Sequence, residues 1–460
     1  MNLNYKSDGA HFNRGIEEIS RRENDQKSNE YENNNKMIDH DFSQKCINSM
    51  LADVSILNDL KSIYSENVPF LDHNFIHCFI DYFNHESQDS FEIYDFLVEK
   101  NASIFIQLGI MKNLIQKIPN SLYLICRTLE FGKKEAFSSF SNECGFYIIT
   151  QLSNNDRFQL LISHILKFTI KYIRNYTDYL EPPFSFDDLM CGGSGDFPDL
   201  TLNNLVRNLL KSNNEEVLNT TLSALQIGFE NHVEACVILG IPFMEKFDYF
   251  LSNNNLITNA VYAFSAGCKS FPFVDDRKMN GYTENLLLSN DTVQMDIGLV
   301  LFISLLRKTE IFDINQSHFQ KCFNGTNLIK IIFNLAENGP YKIKVRAFET
   351  IDQTILIINK LDLKVLIDHG LLDLINDLFG DEPPDSFPDE EIILVSLNIL
   401  EHIMPRILSQ ESSKELYQQL RSYFLYLKQL QYHINDNISQ QARIAFASLL
   451  PFFIDTEDDQ

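Results

Sequence analysis

The sequence has 460 residues and a formal net charge of -25, from 38 Lys and Arg against 63 Asp and Glu. This charge repels phosphate backbones and anionic lipid headgroups, which excludes nucleic acid and membrane surfaces as the main partners. Gly and Pro number only 17 and 13, about half their usual frequencies, and this scarcity disfavours an all-β fold with many tight turns. The apolar share of 44% is sufficient for a hydrophobic core, and 37 Phe without any Trp make that core rich in phenyl rings.

The two ends of the chain differ in composition from its centre. Residues 1–42 are polar and include the run from Asn33 to Asn35. Because they cannot bury enough apolar surface to offset the entropy of ordering, we expect a disordered arm. They also lack the basic start and apolar block of a secretory signal, which predicts a cytoplasmic protein, with the nucleus as the alternative. Residues 456–460 are predicted to form an acidic disordered tail.

Residues 43–455 consist of apolar blocks separated by short polar stretches, with the three-to-four-residue spacing of amphipathic helices. Between Phe158 and Arg174 the polar residues recur every three or four positions among apolar ones, which predicts a helix buried on most sides. These polar residues are Gln159, Ser163, Lys167, Lys171 and Arg174. A similar pattern predicts a helix from Leu416 to Leu430. The longest apolar run, from Ile297 to Leu306, is too short to cross a bilayer, so we expect no membrane-spanning segment.

An internal repeat is visible in the glycines that follow one apolar block and open the next. Their mean separation is about 43.5 residues, within the roughly 40 to 47 of armadillo and HEAT units. Glycine at the start of a unit suits a sharp bend in which φ is positive. The marker glycines are Gly109, Gly145, Gly195, Gly240, Gly281, Gly325 and Gly370.

A second marker, a short cluster of Ser and Asn, recurs in phase with the glycines. Short polar side chains accept hydrogen bonds from the free N–H groups of a first helical turn. Each cluster is therefore predicted to end one helix and cap the next, so that each unit is a helix, a cap and a helix. The clusters are residues 152–155, 211–214, 251–254 and 288–291.

The segment from Leu239 to Ser270 resembles an armadillo repeat, with a Gly-Ile-Pro start, an amphipathic helix, a polar loop and a longer helix with small residues. The segment from Asp368 to His402 is similar. The resemblance implies an all-α fold, a right-handed armadillo-like or HEAT-like α-solenoid of about eight helical repeats over residues 43–455. It also implies that the third helices line a concave groove that binds peptides.

The sequence departs from the armadillo repeats that bind basic peptides. Those repeats, as in importin alpha, carry an Asn near the end of the third helix and Trp residues beside it, whereas this chain has no Trp. A nuclear-import adaptor is therefore disfavoured. The residues aligned with that Asn are Ala266, Ile227, Gln353 and His402.

The few motifs that could carry chemistry are incomplete. The Gly-rich stretch from Cys191 to Gly195 lacks the Lys-Ser/Thr that a phosphate-binding loop requires next, which favours a connecting loop. His73 and His77, with Cys78 and His85 nearby, have the spacing of a metal site but no second ligand pair, which favours ordinary helix histidines. We therefore expect no enzyme activity, no cofactor and no metal, and the eight dispersed cysteines are predicted to be reduced thiols.

Two acidic loops share the frame Glu-Pro-Pro-x-Ser-Phe-x-Asp, at residues 181–188 and 382–389, with the second acidic to residue 391. Proline stiffens these loops and the acids keep them solvated. They are either docking strips for a basic partner or tolerated solvent loops, and the sequence favours the second interpretation.

A local line of cations is the strongest candidate for a partner site. It comprises Lys167, Lys171 and Arg174, with Arg207 and Lys211 as further members. In the armadillo family the corresponding helix faces the groove. The line could bind an acidic or phosphorylated segment, although a solvated helix face is the more common origin of such a pattern.

The leading functional prediction is a noncatalytic protein–protein interaction scaffold or adaptor that binds partner segments along the concave solenoid surface. The alternative is a regulatory subunit or cochaperone that grips a folded enzyme through repeat edges and the acidic loops. Both hypotheses imply protein partners, and a monomer is favoured.

Overall fold

The computed structural model describes residues 94–95, 98–99, 102–103, 105–173, 201–271, 275–309, 326–358, 360–379, 390–408, 423 and 426–454. Within these ranges the secondary structure is entirely helical, with turns between helices and no strand. The predicted arm and tail lie outside the described residues. So do Arg174, His73, His77, Cys78 and His85, the Gly-rich stretch 191–195, and the acidic loops apart from residues 390–391.

Two compact units divide the chain, Met1–Glu143 and Cys144–Gln460. The first contains α1 and α2, and the second contains the remaining helices. The bounds are α1 Ile110–Gln116, α2 Leu122–Asn142, α3 Gly145–Leu152, α4 Asp156–Thr169, α5 Thr201–Leu209, α6 Glu215–Asn231, α7 Val233–Ser252, α8 Ile257–Gly267, α9 Asp276–Leu287, α10 Thr292–Thr309, α11 Leu328–Asn338, α12 Tyr341–Ile357, α13 Lys360–Asp368, α14 Leu371–Phe379, α15 Glu390–Leu408 and α16 Asp436–Ile454. A 3-10 turn, Ile170–Tyr172, extends α4.

The first unit is held by packing of α1 on α2 and by buried polar contacts. The hydroxyl of Tyr94, which is fully buried, lies 2.7 Å from the hydroxyl of Thr128 on α2. On the same helix Arg127 donates to Asp95 over 2.8 Å. Because both residues of the 94–95 pair bond to α2, this helix is anchored to the chain that precedes it.

The second unit consists of two layers of helices. The second helices of successive pairs, α4, α6, α8, α10, α12, α15 and α16, each pack on the next in the series. In the other layer α3, α5 and α7 pack in succession, as do α9, α11 and α14. Every helix therefore contacts neighbours that are close in sequence, which is the arrangement of stacked repeats. The predicted fold class is therefore confirmed as an all-α solenoid of stacked helices in the part of the unit that the structure describes.

A cluster of phenylalanine rings forms the core between α6, α7 and α8. Its ring centroids lie 5.1 to 6.3 Å apart, in both stacked and edge-to-face pairs. Such pairs contribute more to stability than the burial of their surface area alone. In a chain without Trp, phenylalanine pairs of this kind supply the aromatic packing of the core. The rings belong to Phe229, Phe243, Phe247, Phe250, Phe264 and Phe271.

The marker glycines have two different roles. Gly109 and Gly370 have φ of 69° and 96° at the starts of α1 and α14, as the sequence predicted. The prediction is wrong for Gly240 and Gly281, which lie inside α7 and α9. A Cβ on Gly240 would lie 2.8 Å from the Phe271 ring, so this glycine gives room to a core aromatic residue and does not make a bend.

Gly145 opens α3 as its first residue. The remaining two marker glycines, Gly195 and Gly325, lie outside the described residues.

Three of the four Ser/Asn clusters cap helices as predicted, whereas the cluster at residues 251–254 does not, because α8 follows Leu256 with no side-chain capping bond. Asn155 accepts from the backbone N–H of Arg157 at the start of α4, and Asn214 accepts from that of Glu216 at the start of α6. Asp291 accepts from the backbone N–H of Val293 at the start of α10. Each cluster therefore separates the first helix of a pair from the second.

Replacing Asn214 with Ala should destabilise the protein by about 1 kcal/mol, because the first turn of α6 loses its side-chain acceptor. The matched change Asn213→Ala removes an exposed neighbour with no capping bond and should leave stability nearly unchanged. Urea denaturation followed by circular dichroism compares the two variants. Equal shifts of the unfolding midpoint would contradict the capping role.

Candidate partner-binding face

The second-helix face is the name used for the solvent-exposed sides of the second helices, which are α4, α6, α8, α10, α12, α15 and α16. On each of these helices the partly exposed residues recur at three- or four-residue spacing, so they form one stripe per helix. On α6 the stripe is Asn219, Ser223 and Gln226, and on α8 it includes Asn259, Tyr262 and Ser265.

Polar side chains on this face bond across from one second helix to the next. Asn259 on α8 donates to Asn219 on α6 over 2.8 Å. Nearer the start of the helices, Gln294 on α10 donates to Asn254 over 3.3 Å. In each pair the partners are 40 residues apart, so equivalent parts of successive repeats lie side by side.

A charged cluster connects α8, α10 and α12. Arg346 donates to Asp296 on α10 over 3.1 Å and to Glu349 over 2.8 Å. Burial lowers the pKa of this guanidinium, but the bond to Glu349 and the two carboxylate charges outweigh it and raise the pKa. Burial raises the pKa of Tyr262, and the Asp296 charge raises it further. The guanidinium and its two carboxylates carry a net charge of one negative unit.

The face continues onto α12 and α15. His402 and Asp352 are 2.9 Å apart, and this bond is the main cause of the raised His402 pKa. Arg307 on α10 donates to Gln353 over 3.3 Å. Gln353 and His402, which replace the family Asn in our alignment, therefore bond to the neighbouring helix.

Arg406 near the end of α15 bonds to backbone. It donates to the carbonyl oxygens of Ile355 and Ile358, at 2.6 and 3.3 Å, and so caps the end of α12.

The predicted cationic line is only partly one surface. Lys167 is half-buried on α4, and Lys171 is exposed in the 3-10 turn. Gln159 and Ser163, however, are buried, with exposed fractions of 4% and 0%. A spacing of four residues advances by 40° beyond a full turn, so three such steps rotate the line by about 120° around the helix. The residues that share the exposed side with the two lysines are Arg157 and His164, which lie fourteen and seven positions before Lys171.

Arg207 and Lys211 do not belong to this side of α4. Arg207 lies on α5 in the first-helix layer, where its guanidinium donates to Glu245 on α7 over 3.2 Å. Lys211 is exposed in the turn after α5. Because α5 packs on α3 and α7, the structure does not bring Arg207 onto the second-helix face.

The described residues offer little other chemistry. No group of three or more His, Cys, Asp or Glu in this part of the chain could hold a metal ion. Burial raises the pKa of the Cys126 and Cys236 thiols to about 12 and that of Cys268 to about 11, so they are poor nucleophiles at neutral pH. No helix of the described residues is long and apolar enough to cross a membrane.

No protein-family model and no curated protein matches the sequence. Among solved structures, a designed armadillo repeat protein is similar, with a TM-score of 0.39 and 16% identity over 53% of this chain and 98% of that protein. Another designed armadillo repeat protein, in complex with the peptide (KR)4, has a TM-score of 0.40 and 16% identity, covering 53% and 97% of the two chains. An engineered protein has a TM-score of 0.41 and 11% identity, covering 79% and 95%.

The His402–Asp352 bond predicts a pH-dependent contribution to stability. Because the His402 pKa is raised above its ordinary value of 6.5, the stabilisation is complete below about pH 6.5 and is lost as the pH rises through the folded pKa. The wild-type protein should therefore have a higher unfolding midpoint than Asp352→Asn. The difference between the two midpoints should be larger at about pH 5.5 than at about pH 8.5.

Thermal unfolding across this pH range measures the difference, with Asp368→Asn, an exposed carboxylate on α13, as the control. A difference that is constant with pH would contradict the linkage.

Proposed function

We propose that the protein is a noncatalytic interaction scaffold that binds an extended segment of a partner protein along the second-helix face. The observation that carries this proposal is the row of polar side chains bonded from one second helix to the next, as in Asn219–Asn259 and Asp352–His402. These bonds hold donors and acceptors in fixed positions on an exposed surface. Binding of a partner then costs less free energy, because the scaffold's side chains are already ordered.

Repetition of this face over successive helices supports an elongated ligand. Parallel second helices lie roughly 8 to 10 Å apart, so equivalent side chains recur at that interval across the unit. An extended chain that crosses the helices meets one set of polar groups per repeat. Each contact is modest, and several in series provide specificity.

The four described cysteines are free thiols, and three of them are buried. Free, dispersed thiols are typical of proteins in reducing compartments. This supports the cytoplasm, or the nucleus, as the place where such a scaffold would act.

Arginine substitutions at Ser223 and Ser265 test the proposal, since both residues are half-buried on the second-helix face. The long cationic side chains should obstruct a ligand that crosses α6 and α8 and weaken binding by about tenfold, comparable to loss of an interface contact worth somewhat more than 1 kcal/mol. Peptides selected from a displayed random library on the wild-type protein serve as probes, and fluorescence anisotropy measures their dissociation constants.

The control variant is Asn285→Arg, which adds the same side chain to an exposed position of α9 in the first-helix layer. It should bind the selected peptides as the wild type does. If it weakens binding as much as the serine variants, the second-helix face is not the binding surface.

A second candidate function is a regulatory subunit or cochaperone that grips a folded enzyme through the repeat edges. Large apolar residues in or beside the turns that precede second helices support it, because exposed apolar side chains are favourable contact points for a folded surface. Leu288 and Val293 flank the turn before α10, with exposed fractions of 62% and 57%, and Ile434 before α16 is 93% exposed.

Deleting residues 382–389 separates the two functions. These residues lie between α14 and α15 in the sequence, so their loss removes an acidic strip from the chain. Binding of library-selected peptides should be unchanged if the second-helix face is the site. A large loss of peptide binding in a variant with unchanged circular dichroism would favour edge docking.

A further inference from the structure

The exposed side of α4 and its 3-10 turn is the most cationic part of the second-helix face. Arg157, His164 and Lys171 follow one another at intervals of seven residues, which places them on the same side of a helix. Lys167 lies three positions after His164 and borders this side. Four basic side chains therefore share one short surface in a protein whose formal charge is -25.

The basic groups of this surface differ from three arginines elsewhere in the described residues. Arg127, Arg207 and Arg346 are each held by a carboxylate within 3.2 Å. Among the residues that the structure describes, Arg157, Lys167 and Lys171 have no carboxylate partner. Their charges remain available to an anionic ligand.

Aromatic rings lie beside the basic side chains. The Lys171 ammonium is 4.9 Å from the centroid of the Tyr172 ring, and the Arg157 guanidinium is 5.7 Å from that of Phe158. His164 stacks on Phe168, with their centroids 6.3 Å apart. Because these rings are half-buried, the surface presents apolar area together with positive charge.

Charged side chains further along the face are bonded to one another. On α10 and α12 Arg346 pairs with Asp296 and Glu349, and Asp352 bonds to His402 on α15. An acidic ligand therefore meets mutually bonded charges there and, at α4, cations without a carboxylate partner among the described residues. This difference favours α4 as the end of the face that an acidic sequence contacts.

We propose that the α4 surface, formed by Arg157, His164, Lys167 and Lys171, binds an acidic segment of a partner protein that also carries aromatic or aliphatic side chains. Its carboxylates pair with the two lysines and Arg157, and its apolar side chains contact Phe168 and Tyr172. This inference rests on the proposed function, because it assigns a ligand chemistry to one end of the second-helix face.

A displayed library of random peptides, selected separately on the wild-type protein and on the double variant Lys167→Glu, Lys171→Glu, tests this assignment. Wild-type selection should enrich Asp and Glu together with Phe, Tyr or Leu. Selection on the double variant should lose the acidic enrichment. The control is Lys246→Glu with Lys364→Glu, two exposed lysines on α7 and α13, which makes the same change in net charge and should retain the acidic enrichment.

Direct binding is measured with a fluorescein-labelled peptide of repeated Asp-Glu-Phe units, and with a single-stranded oligothymidylate as the competing anion. The double variant should bind the peptide about tenfold or more weakly at low ionic strength, since two attractions become repulsions. Circular dichroism checks that every variant is folded.

The outcomes separate the two proposals. If no peptide family is enriched on the wild-type protein, the scaffold function itself is wrong. If peptides are enriched without acidic residues, or acidic peptides bind the double variant as well as the wild type, only the assignment to α4 is wrong. Tighter binding of the oligothymidylate than of the acidic peptide would also overturn it.

Discussion

The second unit depends on one constraint: the apolar side of each helix can be covered only by the helices next to it in the stack. The second helices pack in series from α4 to α16, and the first helices pack in shorter series beside them. No helix pair is self-sufficient, because an amphipathic helix needs an apolar partner surface. The phenylalanine cluster around Phe243 and Phe271 is the densest example, where Gly240 and Gly267 make room for the Phe271 ring.

Serial packing also sets the positions of the surface side chains. Side-chain partners in successive repeats are separated by 38 to 51 residues in sequence, as for Glu215 with Asn253 and Ile355 with Arg406. The asparagines of the capping turns therefore have two roles. Asn253 accepts from the backbone before α8 and donates to Glu215 on the preceding second helix. The same turn joins the two helices of one repeat and bonds to the repeat before it.

Much of this fold can be predicted from local sequence, because helix periodicity and capping are local properties. The clusters that include Asn155 and Asn214 mark their helix starts correctly. Gly240 misled the prediction because its role depends on Phe271, which is distant in sequence. The α4 surface was predicted in part: a spacing of four residues resembles helical periodicity but rotates around the helix, which hid Arg157 and His164. Cross-helix bonds could not be predicted, since their register depends on the lengths of the connecting turns.

Arg406 has a consequence for how the array can be shortened. Its guanidinium supplies hydrogen bonds to carbonyl oxygens at the end of α12, a helix that belongs to the preceding repeat. Those oxygens have no intrahelical donor of their own. A chain cut between these two repeats would leave a frayed terminus at the cut, so the repeats are not interchangeable modules and each one is completed by its successor.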